Sequence, residues 1–164
     1  MNKEFTVSFF GQKEIPFMEA DTIARKTYLL MKNISETHPQ SVFITGRNGG
    51  FDTLVSSCSD KLRKISKKDN FTLLLILRNN EEYRRKLIDN IPDYYDDVII
   101  CRESSECYPE ISSYIRDRYV IGISDAVVFF FDKITDEIRD SYDLAVKMNK
   151  EIILINKNTE NLSV

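Results

Sequence analysis

Two hydrophobic patterns alternate along this chain. Short runs that are apolar on both faces are separated by longer stretches in which apolar residues recur three and four positions apart. Residues 5–10 form a β-branched and aromatic run that stops at Gly11, which predicts a strand and a turn. Over residues 18–36, Ile23, Thr27, Leu30, Met31 and Ile34 fall at helical spacing, and Pro39 prevents continuation. Residues 41–45 read as a second strand, closed by the stretch 46–50. Residues 51–66 place Leu54, Val55, Cys58, Leu62 and Ile65 on one helical stripe. The run 71–77 is apolar on both sides, as a central parallel strand must be.

The alternation continues to the end. Residues 81–90 predict a short charged helix stopped before Pro92, and 98–100 a brief strand. A helix over 109–122 has proline at its start and glycine at its end. Residues 126–131 form a buried strand, and 135–149 a helix with Ile138, Tyr142, Ala145 and Met148 inward. Residues 151–155 are the last strand. Such an order implies right-handed crossovers and a parallel sheet covered on both faces. The expected fold is therefore α/β: a Rossmann-like three-layer sandwich, mostly parallel, with helices on both faces. Residues 1–156 read as one domain, and 157–164 as a loose tail.

Composition narrows the function. With 42% hydrophobic and 30% charged residues in 164, the chain can build a core and stay soluble. No apolar run approaches the ~18 residues of a membrane span, and no signal-peptide block opens the chain, so it reads as cytoplasmic. Cys58, Cys101 and Cys107 are too few and scattered for a disulfide framework or a zinc site. His38 is the only histidine, which excludes chemistry needing two. Neither metal nor resident cofactor is expected. Net charge is −3, composed of +2 over residues 1–82 and −5 over 83–164. The acidic balance argues against a nucleic-acid partner. The one basic cluster, residues 61–68, reads as a solvated helix end, with single-stranded DNA binding as its other reading.

In a doubly wound sheet, ligands bind outside the carboxyl ends of the strands. Three of only five glycines, Gly46, Gly49 and Gly50, lie in the loop after the second strand, followed by Asp52 in a first helical turn. Two readings stand. The loop brings backbone and a helix N-terminus against a phosphate, with Asp52 on a sugar hydroxyl, or it is a tight turn needing positive φ, with Asp52 as a cap. The spacing is neither a Walker A loop nor a dinucleotide fingerprint. Gly11, Gln12 and Lys13 lie at the same rim. Arg116 and Arg118 can clamp a phosphate, and Tyr119 can stack on a base, or the stretch is an exposed helix end. The loop after residue 131 is acidic and lacks glycine. There Glu137 and Asp140 share a helix face and can act as acid or base, or simply satisfy the helix dipole.

These features together resemble the SLOG superfamily, which includes DprA, the Lonely Guy phosphoribohydrolases and small YpsA-type proteins. The resemblance rests on Val7–Gly11, on Thr45, Gly46, Gly50 and Asp52 in a Ser-Gly-x-Ala-x-Gly-x-Asp-like motif, and on Arg116 to Val120 before a hydrophobic strand. The YpsA-type group is the nearest match. The resemblance implies a Rossmann-like fold and a nucleotide-derived ligand lined by Gly11, Gly46, Gly50, Asp52, Arg116 and Arg118. One departure matters. Where the family carries Gly-Gly-Thr after the fifth strand, this chain has Thr135-Asp-Glu-Ile-Arg-Asp-Ser141. The second phosphate loop is absent, and an acidic loop repels phosphate.

The sequence thus points to a non-catalytic domain that binds or senses a small nucleotide-like molecule. The alternative is a hydrolase cleaving an N-glycosidic bond of a nucleotide, with Asp52 or Glu137 as the carboxylate. Self-association is a further expectation, since Phe129–Phe131 and the many tyrosines leave room for an apolar interface, which the sequence does not locate.

Overall fold

The computed structural model describes residues 4–46, 49–66, 70–81, 85 and 95–155. Within them, strand β1 (Thr6–Gly11) leads to helix α1 (Phe17–Thr37), and β2 (Ser41–Thr45) leads to α2 (Gly50–Ser66). Next come β3 (Phe71–Leu77), β4 (Asp97–Ile100) and the one-turn helix α3 (Arg102–Ser105). A 3₁₀ turn at Pro109–Ile111 runs into α4 (Ser112–Ile123), and β5 (Ala126–Phe130), α5 (Asp136–Lys147) and β6 (Glu151–Ile155) follow. All six strands are parallel, in the order β4-β3-β2-β1-β5-β6. This is the Rossmann-like three-layer arrangement that strand–helix alternation predicts.

The two faces divide by residue parity, as the pleat requires. Val7, Phe9, Phe43, Leu73, Val128 and Phe130 form one core with α1 and α2, through Ile23, Leu30, Met31, Val55, Cys58 and Leu62. On the other face, Val127 and Phe129 pack on Ile121, Ile138, Leu144 and Ala145, while Ile44 and Ile76 pack on Val120 and Cys101. Burying a side chain of this size contributes about 1.5–3 kcal/mol, so the double-sided strands hold most of the fold.

Several elements differ from the sequence reading. The helix expected over 109–122 opens as a 3₁₀ turn, because Pro109 and Ser112 suit a tight start, and Gly122 lies inside its last turn instead of ending it. Helix α3 carried no periodic signal, being a single turn. Ile65 is exposed, not part of the apolar stripe. Phe129 and Phe130 are buried inside the sheet, so they cannot serve an interface between copies. The expected helix over 81–90 falls largely outside the described residues, as do Lys67, Lys68, residue 156 and the expected tail 157–164. No described helix is long and apolar enough to cross a membrane.

His38 is exposed at the amino-terminal edge of the sheet and stacks on Phe5, with ring centroids 4.0 Å apart. Cys58 lies at the α1–α2 contact, where its Sγ donates to Ala24 O at 3.4 Å. Burial, only partly offset by Lys61, pushes this thiol up to about 11. The folded state therefore keeps a proton that the unfolded chain releases near 9, so ionisation favours unfolding once the pH passes that value. The midpoint of thermal unfolding is expected to fall between pH 9 and 11, and this fall to shrink in Cys58→Ala. Thiol reagents at about pH 8 should modify Cys107, which is partly exposed, before Cys58.

Candidate functional site

The chain leaves β1 for β2, β3 and β4 on one side, then returns to place β5 on the other. The loops after β1 and β5 consequently diverge in opposite directions and open a crevice at their carboxyl ends. An open cleft of about 1140 Å³ lies there, lined from Phe9 to Pro16, by Asp132, Lys133, Thr135, Glu137, Ile138, Asp140 and Ser141 of the β5–α5 segment, and by Asp52, Arg78, Ser113, Arg116 and Asp117 among others. This opening sits between β1 and β5, one strand away from the glycine-rich loop.

The glycine-rich loop itself is packed against its own chain. Gly50 N donates to Lys13 O at 2.6 Å, and a Cβ on Gly49 would lie 2.5 Å from Lys13 Cα. Gly46 N donates to Asp52 Oδ1 at 3.3 Å. None of the described glycines has a positive φ. Gly49 and Gly50 admit the β1–α1 loop in close approach, and neither takes a left-handed conformation. Of the residues in this loop, Gly46, Gly49 and Gly50 are absent from the cleft lining, whereas Asp52 is present. Thr45 is fully buried, and its Oγ1 has no hydrogen-bond partner among the described residues.

Arg116 and Arg118 part company. Arg118 is exposed and does not line the cleft. Arg116 is only 5% exposed, the most buried cation in the cleft. Its Nε donates to Ile76 O at 2.9 Å and its Nη1 to Asp117 Oδ1 at 2.8 Å, with the guanidinium 5.9 Å from the Phe10 ring. Asp117 Oδ2 in turn accepts from Ser141 Oγ at 3.2 Å, which ties α4 to α5. A Cβ on Gly46 would lie 2.7 Å from Arg116 Nη2, so glycine at 46 makes room for the guanidinium. Nη2 makes no hydrogen bond within the described residues. A charge this deeply placed needs partners, and it has them on two of three nitrogens. Tyr119 packs among Ile44, Val120 and their neighbours.

The remaining candidates brace the crevice. Gln12 Oε1 accepts from Asp132 N at 2.6 Å while its Nε2 donates to Glu14 O at 2.7 Å, joining the two rims. Gly11, the last residue of β1, lines the cleft but presses its back against Phe51, whose Cδ1 would lie 2.3 Å from an added Cβ. Thr135 caps α5 by accepting from Ile138 N. Glu137, in the first turn, pairs with Lys13 Nζ at 3.3 Å. Sequence reasoning gave no roles to Asp117, Arg78 or Ser141. Nothing in their local spacing distinguishes them, since each acts through a partner distant in sequence or on another element.

The described cations of the 61–68 cluster are engaged locally. Lys64 pairs with Asp60, Arg63 pairs with Asp96 and lies over Phe71, and Lys61 lies over Tyr28. Within the described residues no three His, Cys, Asp or Glu side chains gather as a metal ion would need.

No protein-family model and no curated protein matches the chain. Solved structures do. DNA processing protein A (DprA) from Streptococcus pneumoniae superposes with a TM-score of 0.65 at 14% identity, over 98% of this chain and 53% of that one. The chain therefore spans about half of that protein. DprA from Helicobacter pylori, described for its single-stranded DNA binding mode, gives 0.62 at 14% identity over 96% and 68%. With that structure among those it resembles, the expectation that nucleic acid is not a partner gains no support. The molybdenum cofactor binding protein from Rippkaea orientalis gives 0.60 at 21% identity over 93% and 76%. The chain shares its Rossmann-like fold with these structures.

Proposed function

We propose that this chain is a cytoplasmic SLOG-type domain of the YpsA kind that binds a nucleotide or nucleotide-derived ligand in the β1/β5 cleft, without catalysis. One observation carries the reading. Arg116 is a fixed, desolvated guanidinium whose Nη2 is unused by the described chain, at the base of a cleft placed where this fold takes ligands. Such a group binds an anionic oxygen strongly because its orientation is already set. Around it, Asp52 and Ser113 offer acceptors and a hydroxyl for a sugar or base. Molybdenum cofactor and single-stranded DNA, the ligands named for the structural neighbours, support a ligand of nucleotide-like chemistry.

Hydrolysis of an N-glycosidic bond is the second reading, since Asp52 and Glu137 both line the cleft. Their engagements disfavour it: Asp52 closes its own loop on Gly46 N, and Glu137 pairs with Lys13 in an exposed position. Thermal unfolding against nucleoside mono-, di- and triphosphates, nucleotide sugars and a short oligonucleotide tests the proposal. A ligand at about 100 times its dissociation constant is expected to add about 2.7 kcal/mol. No stabilisation by any member overturns it, and release of free base from a bound nucleotide would replace it with the hydrolase reading.

A further inference from the structure

Seven side chains lining the cleft are carboxylates and four are cations. For a site read as binding an anionic ligand, that balance is unexpected. The charges are also layered. The buried cation, Arg116, lies at the floor, paired with Asp117 and donating also to the Ile76 carbonyl. At the solvent side, Lys13 and Glu137 form an ion pair from the β1–α1 loop to the first turn of α5, with side chains 64% and 78% exposed. Asp132 and Asp140 line the cleft beside them. Helix α5, whose N-terminus would otherwise attract an anion, meets its own Asp136, Glu137 and Thr135 cap.

From this layering we infer that Glu137 is a specificity-determining residue that restricts the cleft to a ligand with a single phosphate or comparable anionic group. The inference rests on the nucleotide-binding reading of the same cleft. One anionic group reaches Arg116. A second, extending toward the mouth, meets the Glu137 carboxylate with its lysine already engaged. The exposed pair is weak and solvent-screened, so it does not lock the cleft. It does place a carboxylate at the solvent side of the cleft.

Calorimetry in EDTA with adenosine and guanosine mono-, di- and triphosphates, and with phosphate and pyrophosphate, tests this on the wild type, Glu137→Gln and Arg116→Met. Monophosphates are expected to bind about tenfold more tightly than diphosphates, as one unit charge at close range suffices to produce. Glu137→Gln should remove most of that difference by improving diphosphate binding, a gain that damage to the fold would not produce. Equal affinity for mono- and diphosphates, or a preference unchanged in Glu137→Gln, overturns the inference while leaving the cleft as a nucleotide site. If no probe binds the wild type, the reading of the cleft falls, and this inference with it.

Discussion

Replacing Gly11 with alanine is expected to destabilise the fold by about 1–3 kcal/mol, the usual cost of overpacking a filled core. The added Cβ would lie 2.3 Å from Phe51 Cδ1, 2.5 Å from Cγ and 2.7 Å from Cβ. These atoms belong to the root and near edge of a ring that is fully buried at the start of α2 and packed on Phe130, so no flexible tip can yield. Phe51→Ala should cost about 3–5 kcal/mol alone, since it empties the same space. In the double variant the methyl group introduced by Gly11→Ala enters the vacated volume, so the combined loss should be smaller than the two single losses added together. Urea unfolding of the wild type, both single variants and the double variant measures this. Strict additivity, or a Gly11→Ala variant as stable as the wild type, would mean that Gly11 serves ligand approach instead of the β1–α2 packing that holds Asp52 in place.

That contrast marks how much of the site was legible in the sequence. Periodicity carried the sheet: the strands at 41–45, 71–77 and 151–155 match the observed bounds because an apolar run between turn residues has few alternatives. The position of the cleft was harder to read. Glycine density drew attention to residues 46–50, yet Gly49 and Gly50 admit the β1–α1 loop and Gly46 the Arg116 guanidinium, and the opening lies where strand order reverses. Strand order is a non-local property that spacing does not encode. Arg116 and Arg118 show the same limit at the scale of one helix. Two positions apart, they point about 200° apart around the axis, so one is buried under Gly46 while the other meets solvent. The chemistry of the loop after β5, by contrast, was plain from composition alone, since its carboxylates occupy the first turn that a phosphate would need.

Arg116→Met is expected to weaken binding of whichever nucleotide stabilises the wild type by at least about 100-fold, which is roughly 2.7 kcal/mol. The loss has two parts. The ligand's anionic oxygen forfeits a charge-assisted hydrogen bond, and Asp117, no longer opposed by Nη1, adds an unbalanced carboxylate near the floor. Some stability will go as well, because the Ile76 carbonyl loses its buried donor. Gly46→Ala separates the two effects. Its Cβ would lie 2.7 Å from Nη2 and 3.0 Å from Cζ, so it displaces the end of a side chain without deleting it. Binding should fall nearly as far as in Arg116→Met, while stability should fall less than in Arg116→Met, because the displaced guanidinium still reaches the Ile76 carbonyl and Asp117. Arg116→Lys should not rescue, since an ammonium cannot hold the Ile76 carbonyl, Asp117 and a ligand with the geometry of a planar fork. Arg118→Met is the matched control, one exposed arginine for one buried, and should leave the dissociation constant within about twofold, because an exposed cation outside the cleft is largely screened. Calorimetry on these variants decides between a site built on the buried guanidinium and one that merely lies near it. If Arg116→Met binds as the wild type does, the ligand's charge is held elsewhere, and the cleft floor is structural.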